Sequence, residues 1–169
     1  MEANNKLSRL VTKISHAPAF LQSFLLSQLF GRAVKFAGTA GIQIQQLNFQ
    51  QARLVQKNSR KVQNHIGSVH AAAMALLGES ATGFLVGMHV PDDRLPLLKS
   101  MHLDYVKRAT GQLTAIASLT AEQIDNIRSQ EKGEVTVQVQ LLDEVGVEPV
   151  LAQFVWAWVP KKRSASKES

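Results

Sequence analysis

Cysteine is absent from the 169 residues. That excludes disulfides, thiolate metal sites and cysteine nucleophiles together. No internal repeat or low-complexity linker divides the chain, and no Gly-rich phosphate loop is present: Gly31, Gly38 and Gly41 lack the strand–loop–helix setting that would give such glycines meaning. His16, His65, His89 and His102 show no metal-ligand spacing, so neither a metal nor another cofactor is expected. The apolar run Ala19 to Phe30 follows Lys6, Arg9 and Lys13 as a signal peptide might, but Gln22, Ser23, Ser27 and Gln28 interrupt it. It lacks a clean small-residue cleavage site and is too short to span a bilayer. The better reading is a partly amphipathic helix, and a cytoplasmic location is expected.

What remains is a chain with 45% hydrophobic and 19% charged residues, the balance of one ordinary globular domain. Its formal charge is +6, with a pI near 9.8. That charge draws polyanions in general, whether nucleic acid, phosphorylated cofactors or acidic lipid. The basic residues are scattered and the aromatics sit in apolar strands rather than among them; nucleic acid is therefore not an expected partner. Residues 161–169 mix Lys161, Lys162, Arg163 and Lys167 with serine and alanine, and read as a disordered basic tail.

The periodicities set the order of elements. Residues 1–37 read as a helical segment, one or two helices broken near Pro18, with Gly38 and Gly41 marking a turn. The domain proper runs 38–160. From Ile42 to Val55 the pattern is strand-like, with Ile42 and Ile44 alternating and then Leu47 and Phe49 one register out, as a bulge or short turn would produce. Val69 to Val86 is apolar on nearly every side of a helix, with His70, Glu79, Ser80 and Thr82 its strongly polar members, so the helix must be buried on nearly every side. Alternation returns at Met101–Tyr105 and at Leu113–Leu119. Thr120 and Gln123 form a capping-box signature for a short helix that Gly133 would close. Val135 to Leu141 alternates cleanly, and Leu151 to Val159 is apolar on both faces, as in a central or interface-covered strand. Five or six antiparallel strands bury a lone apolar helix only by curling around it, which gives an α+β architecture. The outer face of the last strand needs a partner, so a dimer or tetramer is expected.

An unpaired carboxylate on so apolar a helix is costly. Glu79 is therefore either partnered or functional, and function is favoured. Here the residues resemble a family. Asn64-His65-Ile66-Gly67-Ser68-Val69-His70-Ala71-Ala72, followed by Glu79 eight residues after Ala71, is similar to the central motif of hotdog-fold thioesterases, closest to the phenylacetate-pathway and 4-hydroxybenzoyl-CoA type. Tyr105-Val106-Lys107-Arg108-Ala109 and Gly111 fit the β pattern that follows, and the resemblance covers roughly residues 40–160. It implies a sheet of five or six strands wrapped on a central helix. It further implies hydrolysis of an acyl thioester, acyl-CoA first among them, with CoA entering as part of the substrate. Glu79 would be the base or nucleophile and the Ala71 amide would donate to the thioester oxygen. Asn64 and His70 would orient that carbonyl, while Gly67, Ala72, Ser80, Thr82 and Gly83 would lie against substrate. Glu79 would face Asn64 and the Ala71 amide of a second subunit. This sequence has Ala71-Ala72 where the family has two glycines, and Gly83 where relatives often carry a hydroxyl. The altered glycines motivate the alternative of a non-catalytic hotdog that binds an acyl group or acyl-CoA.

Overall fold

The computed structural model describes residues 5–161. Three helices open the chain: α1 (Lys6–Ser15), α2 (Ala19–Ala33) and α3 (Lys35–Ala40). Pro18, which has no amide hydrogen to donate, is the N-cap of α2 and separates it from α1. Gly38 lies inside α3 rather than in a turn: the Gly31 backbone of α2 passes so close that a side chain at 38 would collide with it. Gly41 does end α3, with φ at +76°.

A hairpin of β1 (Gln43–Leu47) and β2 (Gln51–Gln56) follows, and its register slips between Ile44 and Gln46, so the phase change in the sequence is a bulge. The remaining elements are α4 (Ala71–Gly87), β3 (Arg94–Tyr105), β4 (Leu113–Ser118), α5 (Ala121–Ser129), β5 (Gly133–Asp143) and β6 (Val150–Pro160). Thr120 caps α5 in a reciprocal capping box with Gln123. Gly133 does not close that helix. It starts β5, where the Trp158 ring lies 2.5 Å from the position a Cβ would take.

The six strands form one antiparallel sheet in the order β1-β2-β4-β5-β6-β3. It curls around α4, which packs on β2 through β6 and sends Leu77, Ala81 and Leu85 fully into the core. This is the hotdog architecture, α+β, that the resemblance implies. β6 is an interior strand: Phe154, Trp156 and Trp158 are buried on its inner face, while Leu151 and Val159 stay exposed. β3 is an edge strand with Leu95, Leu97 and Met101 exposed.

The N-terminal helices are joined to this core. Phe30 of α2 packs its ring 4.2 Å from that of Phe84. The side-chain amide of the buried Asn5 donates to the carbonyls of Gly87 at 2.8 Å and Val90 at 2.6 Å, satisfying the end of α4. At the other terminus Lys161 is fixed, its backbone donating to the Asp93 carbonyl at 2.9 Å and its ammonium to that of Asp92 at 2.7 Å. It belongs with the end of β6 and not with the tail expected from 161; residues 162–169 lie outside the described residues. Among the described residues no helix is long and apolar enough to cross a membrane.

Candidate active site

The loop before α4 is held as a tight turn. The Asn64 side-chain oxygen accepts from the amides of Ile66 and Ser68, each at 3.1 Å, and its backbone donates to the Ser68 carbonyl at 2.8 Å. Asn64 thus builds the turn through its oxygen, a role its residue type favours. Gly67 sits at φ +77° with nothing within 4 Å of a would-be Cβ, so glycine is required there by the backbone and not by space.

His70 is the N-cap of α4. Its Nδ1 accepts from the Ala72 amide at 3.0 Å, which places the ring proton of the neutral form on Nε2 and leaves that N–H pointing away from the helix as a donor. With Ala72 satisfied, the exposed Ala71 amide makes no hydrogen bond among the described residues. A free amide at a helix N-terminus, backed by the helix dipole, favours negative charge. The Ala71 carbonyl is anchored by the Tyr105 hydroxyl at 2.8 Å. Arg108 donates to the Ser68 hydroxyl at 3.2 Å and to the Ile66 carbonyl at 3.0 Å, so its guanidinium braces the loop. Neither bracing role can be read from the sequence, because nothing local marks a residue for a partner some forty positions away.

Glu79 lies two turns along α4, half-buried, on the stripe Ala72, Ala75, Leu76 and Glu79 that stays at least partly exposed. It has no ion pair among the described residues, and its one hydrogen-bonding neighbour is the Ser80 hydroxyl at 3.5 Å. Burial pushes its carboxyl above the ordinary carboxylate value, against the weaker opposing effect of Ser80. Eight residues of helix separate Ala71 from Glu79, about 12 Å along the axis. One copy of the chain therefore cannot bring both to a single carbonyl.

The other expected substrate contacts divide. Ala72 and His70 line a cleft of about 240 Å³ with Phe36, Lys61, Val62 and Leu76, at the start of α4. Thr82 turns the opposite way. It is fully buried, donating to its own helix at Gly78 and accepting from the Trp156 indole at 2.9 Å. Gly83 is also a packing position, with the Trp156 ring 2.5 Å from a would-be Cβ. Ser80 is buried beside Glu79.

This arrangement can be compared with known proteins. A Pseudomonas aeruginosa protein of unknown function, named a probable thioesterase, is 26% identical; the match covers 81% of this chain and 95% of that one, at a TM-score of 0.72. A Haemophilus influenzae thioesterase is 12% identical over 80% of this chain and 88% of its own, at 0.65. A thioesterase family protein of Silicibacter pomeroyi is 13% identical over 80% and 96%, at 0.62. No curated protein matches the chain in sequence. The family model described as Domain of unknown function (DUF4442) matches residues 23–159, and to that family the chain belongs.

Proposed function

We propose that the chain hydrolyses acyl thioesters, with acyl-CoA as the substrate class, at a site shared by two copies. The observation that carries this reading is the pairing, on one helix, of an unpaired half-buried carboxylate at Glu79 and an unused amide at Ala71. The thioester carbonyl oxygen sits against the Ala71 amide and the His70 Nε2–H, both placed where negative charge develops. Glu79 of the other copy takes a proton from water, whose oxygen adds to the carbonyl carbon; collapse of the adduct breaks the C–S bond, and the thiolate takes up that proton and leaves as the thiol beside the free acid. Where Glu79 adds itself, collapse expels the thiolate, which takes a proton from water, and leaves an acyl–Glu79 anhydride that hydroxide from that water hydrolyses to the acid and the carboxylate. The exposed edge of β3 supports a dimer joined through that strand, since an unpaired apolar edge invites a second one. The solved structures named thioesterases support the chemistry.

The test is hydrolysis of an acyl-CoA panel by the native chain and by Glu79→Gln. Turnover that depends on Glu79 supports the proposal, and no turnover on any member refutes it. The methyl groups of Ala71 and Ala72, which narrow the approach to the amide, favour one other reading: a protein that binds acyl-CoA without cleaving it. Acyl-CoA found by mass spectrometry in the purified protein, with no hydrolysis, would select that reading.

A further inference from the structure

Between Glu2 and Glu79 the sequence contains no acidic residue and nine basic ones. The first three helices lie in this stretch, and they carry an apolar surface the core does not use. Phe20 is 79% exposed, Phe24 60% and Phe36 65%, with Leu21 and Leu25 beside them. α2 buries only Leu26 and Phe30, so its apolar residues far exceed what its packed side requires. Single exposed hydrophobics are ordinary, but three phenylalanines standing out of one helix pair are not.

The cations lie on the same surface. Phe20, Phe24, Arg32 and Lys35 line one broad cleft, and Phe36 and Lys61 line the next, with Thr39 common to both. Arg32, Lys35 and Lys61 form no ion pair among the described residues. We propose that the α2–α3 face docks on an anionic lipid bilayer, the phenylalanines entering the headgroup region and Arg32, Lys35 and Lys61 meeting lipid phosphates. Apolar side chains on one face of a helix with cations around them are the features of interfacial helices. Negative surface potential holds each such cation. A bilayer takes exposed aromatics one by one and needs no complementary shape. The second cleft runs on to His70 and Ala72, so a docked molecule would hold the start of α4 close to the lipid. The docking itself does not depend on the thioesterase reading.

Sedimentation of the full chain with vesicles tests it. Vesicles of equal parts phosphatidylcholine and phosphatidylglycerol should carry the protein down, pure phosphatidylcholine should not, and added salt should release part of it. Phe20→Ser with Phe24→Ser, and separately Arg32→Glu with Lys35→Glu, should each weaken binding roughly tenfold or more. Both variants should melt with the native protein, because all four side chains are exposed. Three results overturn the proposal: no binding to anionic vesicles; binding unchanged in both variants, which assigns it to another basic surface; or a lower solution mass in the variants, which makes the face a contact between copies.

Discussion

The hydroxyl of Tyr105, last residue of β3, donates to the carbonyl of Ala71, first residue of α4, at 2.8 Å. An edge strand thereby holds the start of the central helix, and with it the free amide. Burial raises the Tyr105 pKa above its ordinary value, so the phenol remains a donor throughout the neutral range. Tyr105→Phe should lower kcat about tenfold with KM little changed, and cost on the order of 1 kcal/mol in stability. Steady-state kinetics with a melting curve checks this; an unaltered kcat would mean that the helix start is held without the phenol.

Glu79 should set the pH profile. Its carboxyl, raised by burial, favours the protonated form in the folded state. The stability this contributes is present below the ordinary carboxylate pKa and is lost as pH rises through the raised value. Ionised Glu79 is therefore a cost at neutral pH, and Glu79→Gln should melt at the native temperature or above it. Activity should climb with pH through an ionisation above the usual carboxylate range and then level off. The variant should lose on the order of a hundredfold or more in rate and show no such climb. A variant that melts early while turning over normally would make Glu79 structural.

His89 governs acid stability. Fully buried, its Nε2–H donates to the Phe49 carbonyl at 2.7 Å while Nδ1 accepts from Arg128 at 3.1 Å. Burial above all, with Arg128 assisting and the Phe49 bond opposing, lowers its pKa from 6.5 to about 4. The unfolded chain takes up a proton that the folded one refuses, so stability is whole above pH 6.5 and falls as pH drops toward 4. The loss should approach about 3 kcal/mol. Urea unfolding across that range measures it. His89→Gln should be less stable at neutral pH but flatter with pH, and an unchanged slope would exclude His89 as the cause.

The helix glycines should not tolerate a methyl group. At Gly78 the Phe154 ring lies 2.7 Å from a would-be Cβ, and at Gly83 the Trp156 ring lies 2.5 Å away. Each Gly→Ala change overpacks the contact between α4 and β6 and should cost roughly 1–3 kcal/mol. Melting curves decide the point. An equal or higher melting temperature would show that β6 yields readily.

The edge of β3 should carry the assembly. Light scattering of the native chain should give a dimer at least. Leu97→Lys with Met101→Lys, both at exposed positions, should release monomers that have lost thioester hydrolysis. A native monomer, or active monomers of the variant, would rule out the shared site.

Much of this fold is legible because its signals are local. The all-round apolar stretch from Ala71 to Val86 can only be a core helix, and the slip between Ile44 and Leu47 can only be a bulge or turn. Thr120 and Gln123 announce their own helix. What cannot be read locally is set by long-range neighbours. Met101 to Tyr105 alternates as a strand does, but the alternation does not tell that the strand lies at the sheet edge. Gly38, Gly83 and Gly133 look like turn or site glycines in sequence, but Gly38 is fixed by the backbone of the preceding helix, and Gly83 and Gly133 by indole rings distant along the chain. At the candidate site, the family resemblance implies roles for Glu79, His70 and Ala71, whereas the direction in which Thr82 turns depends on Trp156, which only the folded sheet brings to it.

Asn5 gives the chain a property that its division into helices and sheet conceals. Its oxygen caps α1 by accepting from the Ser8 amide, and its nitrogen holds the last turn of α4. One side chain thus joins the start of one helix to the end of another, Gly87 lying 82 positions beyond Asn5. Peeling away the N-terminal segment would strand two carbonyls at the far end of the helix that starts at the candidate site. The segment and the sheet should therefore unfold as a single cooperative body, and strain applied at one end of α4 has a rigid rod along which to reach the other.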